Sequence, residues 1–291
     1  MLNRRQIIAG AAVMAGTMGI TPRALALAAD PLGAILAETG GRLGLAAIDT
    51  GTGQRLMLDA GARYPMCSTF KWILAAAVLQ RVDRGELNLA KMVRFSEADL
   101  LDYAPVVKAN LAARALSVEQ LCEAAVELSD NSAANLLLPQ VGGPQGVTRF
   151  IRAGGDQVTR LDRYEPELNI FKPDDPRDTT LPYAMALLMQ RVLTDDVLTE
   201  ESRDKLIAWM VASTTGTKRL RAGLPGDWRV GDKTGTSGAG QFNDVAITFP
   251  PGRKPILIAA YLDAPATLDA AKGDAALAKV GALVGAIFAR G

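Results

Sequence analysis

The sequence predicts an α/β (α+β) fold: an antiparallel sheet flanked by N- and C-terminal helices, with an inserted all-helical lobe. Three observations predict it. Strand-like runs cluster towards the two ends of the chain, helical periods fill the middle from Ser68 to about Ala222, and the early hairpin is too small to stand alone. A two-stranded ribbon is marginal in water, so the hairpin is expected to join the late strands in one sheet. A cleft between sheet and helical insert follows.

Taken in order, residues 1–28 read as an export signal. Arg4-Arg5 precede an apolar, Gly/Ala-rich run from Ile7 to Ile20, and Ala24-Leu25-Ala26 and Ala26-Leu27-Ala28 offer cleavage points. The paired arginines resemble a twin-arginine signal, and the run is short and glycine-rich for a hydrocarbon core of about 30 Å. A membrane anchor is the alternative. Without the segment the chain carries 29 basic and 31 acidic residues, net −2. A periplasmic or secreted monomer with no stable membrane association is expected.

Asp30 to Thr39 reads as a helix; Arg42–Ile48 and Arg55–Leu58 read as strands around the turn cluster Asp49-Thr50-Gly51-Thr52-Gly53. Trp72–Val82 and Val118–Leu128 carry helical periods. After Pro225, strand-like runs return at Trp228–Lys233, Asp244–Phe249 and Ile256–Leu262, and Leu268–Phe288 closes as an Ala-rich amphipathic helix. The division expected is a sheet/helix lobe over 29–60 and 212–291 and a helical lobe over 61–211.

Composition narrows the chemistry. The 291 residues exceed the rough 150 of one average domain, and 49% apolar with 22% charged residues is ordinary globular usage. Thirty-two basic against thirty-one acidic residues leave no basic field to hold a phosphate backbone, which argues against a nucleic-acid partner. There is no histidine, which excludes Ser-His-Asp and Cys-His catalysis and His-based zinc sites. Acid–base work falls to Lys, Glu, Asp or Tyr. Two cysteines supply neither a four-ligand zinc site nor a disulfide scaffold, so no metal and no other cofactor is expected.

Three short motifs stand out. Ser68-Thr69-Phe70-Lys71 opens an apolar helical run, placing Lys71 one turn beyond Ser68 on the same face. A partly desolvated lysine there can activate a serine hydroxyl, and the helix N-terminus favours developing negative charge. A cap with a surface lysine is the plain alternative, and the second copy, Ser202-Arg203-Asp204-Lys205, reads as a solvated helix face. Ser129-Asp130-Asn131 stands where a helix ends, and capping alone explains it. In Lys233-Thr234-Gly235-Thr236, on a strand-like run, Gly235 lets a ligand approach the backbone.

The ordered set changes the reading. Ser-x-x-Lys, Ser-Asp-Asn 61 residues on and Lys-Thr-Gly 104 residues further resemble the signature of class A β-lactamases and penicillin-binding proteins. Arg163-Tyr164-Glu165-Pro166-Glu167-Leu168-Asn169 resembles the Ω-loop of class A β-lactamases, at about 160–178, which penicillin-binding transpeptidases lack. The resemblance implies hydrolysis of penicillins and cephalosporins through a Ser68 acyl-enzyme, conferring resistance, with carbapenems an open extension.

Position by position, it implies Ser68 as nucleophile, Lys71 or Glu165 through a water as acylation base, and Ser129 as proton donor to the leaving nitrogen. Glu165 and Asn169 would direct the deacylating water. The backbone N–H groups of Ser68 and Thr236 would form the oxyanion hole, and Asn131 would bind the acyl amide. The substrate carboxylate would meet Lys233, Thr234, Thr236 and Arg219. Tyr103 resembles the aromatic rim residue, and Ser237 hints at oxyimino-cephalosporin turnover. Glu165–Pro166 is the candidate cis peptide, Arg163 with Asp178 a clamp on the loop ends, and Glu167 solvated or structural. Cys67 and Cys122 lack the family's usual partners, whose positions are Ser237 and Ala75, so both are expected as free, buried thiols. A penicillin-binding carboxypeptidase, which Glu165 and Asn169 oppose, and a β-lactam sensor that acylates and stops are the rival functions.

Overall fold

The computed structural model describes residues 22–289, and Arg4, Arg5 and the apolar run Ile7–Ile20 of the expected export signal lie outside the described residues. Helix α1 (Pro22–Thr39) leads into β1 (Arg42–Asp49) and β2 (Arg55–Leu58), and the late strands are β7 (Arg229–Thr236), β8 (Gln241–Phe249) and β9 (Ile256–Asp263). These five form one sheet in the order β2-β1-β9-β8-β7, with every neighbour antiparallel. The early hairpin does join the late strands.

Both faces of this sheet are covered, so β1, β8 and β9 are buried almost end to end rather than at alternate residues. On one face, Leu43, Leu45, Ile258, Ala260 and Leu262 pack against Leu32 and Ile35 of α1 and Leu277, Val280, Val284 and Phe288 of the last helix, α10 (Ala270–Phe288). On the other, Ile48, Val245, Ile247, Leu257 and Tyr261 join the core of the helical segment.

That segment is centred on α2 (Phe70–Asp83), in which every residue from Phe70 to Leu79 is buried. An all-round apolar helix belongs in an interior, and Lys71 is the one charged residue in that run. Around it lie α3 (Pro105–Ala109), α4 (Val118–Glu127), α5 (Asn131–Leu137), α6 (Gly143–Ala153), α7 (Pro182–Leu193) and α8 (Glu200–Val211). A short helix α9 (Leu220–Gly223) precedes β7. Two small antiparallel strand pairs, β3 (Tyr64–Pro65) with β6 (Thr179–Thr180) and β4 (Met92–Arg94) with β5 (Ala115–Ser117), interrupt the block read as helical. Each is two or three residues long, too short to show a period.

The Ser202–Lys205 copy is not a solvated face. Ser202 is buried and donates to Asp83 Oδ1 at 2.5 Å, while Thr199 caps α8 and also donates to Asp83. Lys205 bonds to Glu119 and lies 5.9 Å from the Trp209 ring centroid. The copy is helix–helix packing: α8 is pinned to the end of α2.

Candidate active site

One face of the sheet is shaped to seat the segment that carries Ser68. Gly44, Tyr261, Asn243 and Gly235 are consecutive cross-strand partners on β1, β9, β8 and β7. A Cβ on Gly44 would lie 2.4 Å from the Tyr64 ring, and one on Gly235 would lie 2.6 Å from the Met66 carbonyl oxygen. The close approach that Gly235 permits is therefore that of the chain around Ser68, not that of a ligand. Asn243 Nδ2 donates to the carbonyls of Pro65 (2.9 Å) and Met66 (3.2 Å), fixing the same segment. Cys67 is held at φ +46°, a strained value for a residue with a side chain, before a short 3-10 turn (Cys67–Thr69) leads into α2. Ser68 is left half-buried at the mouth of α2.

Lys71 follows one turn on, fully buried. Its Nζ lies 3.0 Å from Ser68 Oγ, 2.8 Å from the Ser129 carbonyl, 2.5 Å from Asn131 Oδ1 and 3.2 Å from Glu165 Oε1. Burial pulls its pKa below the usual lysine value, while the charge and hydrogen bond of Glu165 pull it up.

Ser129 sits at φ +58°, where the chain turns sharply between α4 and α5, and its hydroxyl lies between two lysines. Lys233 Nζ donates to Ser129 Oγ at 3.0 Å and Lys71 Nζ reaches it at 3.4 Å. Burial, then repulsion from Lys71, drives the Lys233 pKa well below its usual value. Asp130 is a helix cap, as the plain reading of that motif had it. Its Oδ1 accepts from Ala133 N–H, and its Oδ2 accepts from Val106 and Val107 N–H, anchoring the stretch that carries Tyr103. Tyr103 is 51% exposed at the rim, and its carbonyl accepts from the Asn131 N–H.

Glu165 enters from the loop between α6 and β6. Its Oε1 lies 3.4 Å from Ser68 Oγ and its Oε2 accepts from Asn169 Nδ2 at 2.6 Å. Asn169 Oδ1 is buried with no hydrogen-bond partner. The Glu165–Pro166 peptide is cis, Arg163 Nε donates to Asp178 Oδ2 at 2.6 Å across the loop ends, and Glu167 is exposed. Asn135 clamps Glu165 from behind: its Oδ1 accepts from the Glu165 N–H and its Nδ2 donates to the Glu165 carbonyl.

Ser68, Tyr103, Ser129, Asn131, Asn169, Thr215, Arg219, Thr234 and Thr236 line a cleft of about 320 Å³. Arg219 is largely committed. It donates to Asp274 Oδ1, to the carbonyls of Gly235 and Asn243, and to Thr236 Oγ1 at 2.7 Å, so it acts on the cleft chiefly through Thr236. The Ser237 hydroxyl is bonded to Gln241. Cys67 and Cys122 are free and buried. Sequence reasoning missed Thr215, which shares a 2.7 Å hydrogen bond with Thr234, and Asn135, Asn243 and Gln241. Each is a single polar residue in an unremarkable stretch, and no spacing marks it.

Chemically, a serine hydroxyl has a buried amine and a carboxylate within reach and a second lysine-held hydroxyl nearby. This suits acyl transfer followed by water attack. Comparison with known proteins agrees. The sequence model of the β-lactamase enzyme family matches residues 28–288. Beta-lactamase AST-1 of Nocardia asteroides is 44% identical over 86% of this chain and 81% of its own. The carbapenem-hydrolyzing beta-lactamase KPC of Klebsiella oxytoca is 42% identical over 82% of each chain. The solved structure of an ancestral class A β-lactamase superposes with a TM-score of 0.86 at 52% identity, covering 88% of this chain and 98% of that one. The chain belongs to the β-lactamase enzyme family as a class A serine β-lactamase, a hydrolase of β-lactams whose activity confers resistance.

Proposed function

We propose that β-lactam hydrolysis in this protein runs through an acyl-enzyme on Ser68, with Lys71 as the acylation base and Glu165 as the deacylation base. The observation that carries this reading is the convergence of the Lys71 amine (3.0 Å) and the Glu165 carboxylate (3.4 Å) on one serine hydroxyl. Lys71 takes the Ser68 proton as the oxygen attacks the lactam carbonyl, and the negative charge that develops there meets the backbone N–H groups of Ser68 and Thr236. Ser129, held by Lys233, gives the leaving nitrogen its proton. Glu165 Oε2 and Asn169 then hold a water against the ester, the unpartnered Asn169 Oδ1 being the second acceptor for it.

Asn131, whose Oδ1 is taken by Lys71, offers its Nδ2 to the acyl amide. Thr234 and Thr236 bind the substrate carboxylate in the field of Lys233, with Arg219 orienting Thr236. The cleft lies between a sheet/helix lobe (29–60 and 212–291) and a helical lobe (61–211). Penicillins and cephalosporins are the proposed substrates. The protein acts as a monomer in the periplasm or outside the cell, delivered by the twin-arginine route. Among the described residues no helix is long and apolar enough to cross a membrane.

Mass spectrometry of Glu165→Gln mixed with benzylpenicillin tests the assignment. The expected product is protein plus one intact penicillin mass, persisting for minutes, with Ser68→Ala giving no adduct. Wild-type turnover by Glu165→Gln, or an adduct on Ser68→Ala, would overturn it.

A further inference from the structure

The turn Met66-Cys67-Ser68 does not hold itself. Cys67 stands at φ +46°, a region that a residue with a side chain leaves unless its surroundings prevent it. Thr69 and Asn243 both donate to the Met66 carbonyl that opens this turn. Thr69 does so from within, through its N–H at 3.2 Å and its hydroxyl at 2.8 Å. Asn243 does so from the sheet: its Nδ2 reaches the Met66 carbonyl at 3.2 Å and the Pro65 carbonyl at 2.9 Å. Carbonyls only accept, so the nitrogen must be the atom that faces them. Asn243 is 1% exposed, and its Oδ1 is buried with no hydrogen-bond partner among the described residues. A buried acceptor left unmet costs stability, and such groups mark positions kept for function.

The backbone of Asn243 is tied just as closely to β7. It is the cross-strand partner of Gly235, the residue before Thr236, and Arg219 Nη1 donates to both their carbonyls, at 2.9 Å to Gly235 and 2.8 Å to Asn243. A Cβ on Gly235 would lie 3.2 Å from Ser68 N, so the Ser68 amide rests directly against β7.

We propose that Asn243 is a positioning residue for the oxyanion hole, its backbone placing the strand that carries the Thr236 N–H and its side chain holding the turn that aims the Ser68 N–H. The inference rests on the Ser68 reading above, in which these two N–H groups meet the charge on the lactam oxygen. Without the amide, Cys67 is free to relax towards negative φ, which rotates the peptide that carries the Ser68 N–H. That donor then leaves the point where the oxyanion forms, although Lys71 stays in place on α2. The loss falls on the carbonyl that every β-lactam shares, not on the groups by which substrates differ.

The test is Asn243→Ala, alone and combined with Glu165→Gln. Alone, its acylation rate constant, read by stopped-flow mixing, is expected to fall by about 10²-fold for benzylpenicillin and a chromogenic cephalosporin alike, the scale of one lost oxyanion donor. Substrate affinity before acylation should stay within about threefold of wild type. Combined with Glu165→Gln, the ester carbonyl stretch of the benzylpenicillin adduct, read by infrared difference spectroscopy, should move to higher frequency than in Glu165→Gln itself, because hydrogen bonds from the hole weaken the C=O bond. Ile247→Ala, a truncation of the buried core on the same strand, should lower the melting temperature and leave that band in place. An unmoved band in Asn243→Ala, a loss confined to affinity, or an equal band shift in Ile247→Ala would overturn the inference. Should Asn243→Ala fail to fold, Asn243→Ser, polar but too short to reach both carbonyls, carries the same two readouts. If Glu165→Gln itself accumulates no ester, the reading beneath fails and the inference with it.

Discussion

Five acceptors surround the Lys71 Nζ, which carries at most three protons, and its side chain has no exposure to water. Desolvation favours the neutral amine that a base must be, and Glu165 is the main opposing charge. Glu165→Gln should therefore let Lys71 lose its proton at lower pH. The acid limb of the acylation rate, read by single-turnover mixing with a chromogenic cephalosporin, is expected to move down in that variant. A limb that stays or moves up would remove Lys71 as the base. Asn135 belongs to the same scale. With both its amide atoms on the Glu165 backbone, Asn135→Ala should slow deacylation by roughly tenfold or more and leave acylation nearer to wild type, as separated by burst and steady-state rates. The contrast between these residues explains what the sequence could reveal. Ser68, Lys71, Ser129, Glu165 and Lys233 stand in recurring strings of neighbours, so spacing betrays them. Asn135 and Thr215 act through geometry made only when distant segments meet. Arg219 and Ser237 were legible as cleft neighbours, but which hydrogen bonds occupy them was not.

At the scale of elements, the loop bearing Glu165 is held by one buried carboxylate. Asp178 accepts from the N–H groups of Asp162 and Arg163 and from Arg163 Nε, and its side chain is 1% exposed. Asp178→Ala strands a partly buried guanidinium and two backbone N–H groups, so a loss of about 3–5 kcal/mol in unfolding free energy is expected by urea denaturation. Deacylation should fall more than acylation, and equal falls would show that the clamp serves only the fold. On the sheet, Gly235→Ala drives a methyl into the Met66 carbonyl. A displacement of this size at the nucleophile should cost about 10²-fold in kcat with the circular dichroism unchanged. The strands and long helices were legible because burial writes a period into them. β8 begins three residues before the Asp244 at which the apolar pattern starts, since Gln241 and Asn243 face partners rather than core.

The whole molecule keeps several charges out of water beneath its sheet. Asp244 and Asp232 lie on β8 and β7 with Lys233, Arg219 and Arg221 around them, and each carboxylate has one oxygen without a hydrogen-bond partner. Burial, then the charge of Asp232, raises the Asp244 pKa well above the carboxylate range, against the pull of Arg219 and Lys233. The folded state thus holds a proton that the unfolded chain releases at about pH 4, so stability from this group is lost as pH climbs towards the raised value. Asp244→Asn carries no such titration. Its melting temperature relative to wild type is expected to rise steadily with pH, and a constant difference would refute the protonated state.

The seat under Ser68 also bears on when a newly made chain can act. Its parts come from β1 and from β7, β8 and β9; Asn243 reaches back 178 positions to Pro65, and Arg42 waits 221 positions for Asp263. Contacts so distant in sequence are slow to close and form late. While the ribosome is still delivering the last strands, α2 can coil and Ser68 can be present, but nothing yet holds the hydroxyl in place. The seat is complete only when β9 has been made, so in any shorter chain Ser68 lacks part of the sheet that holds it.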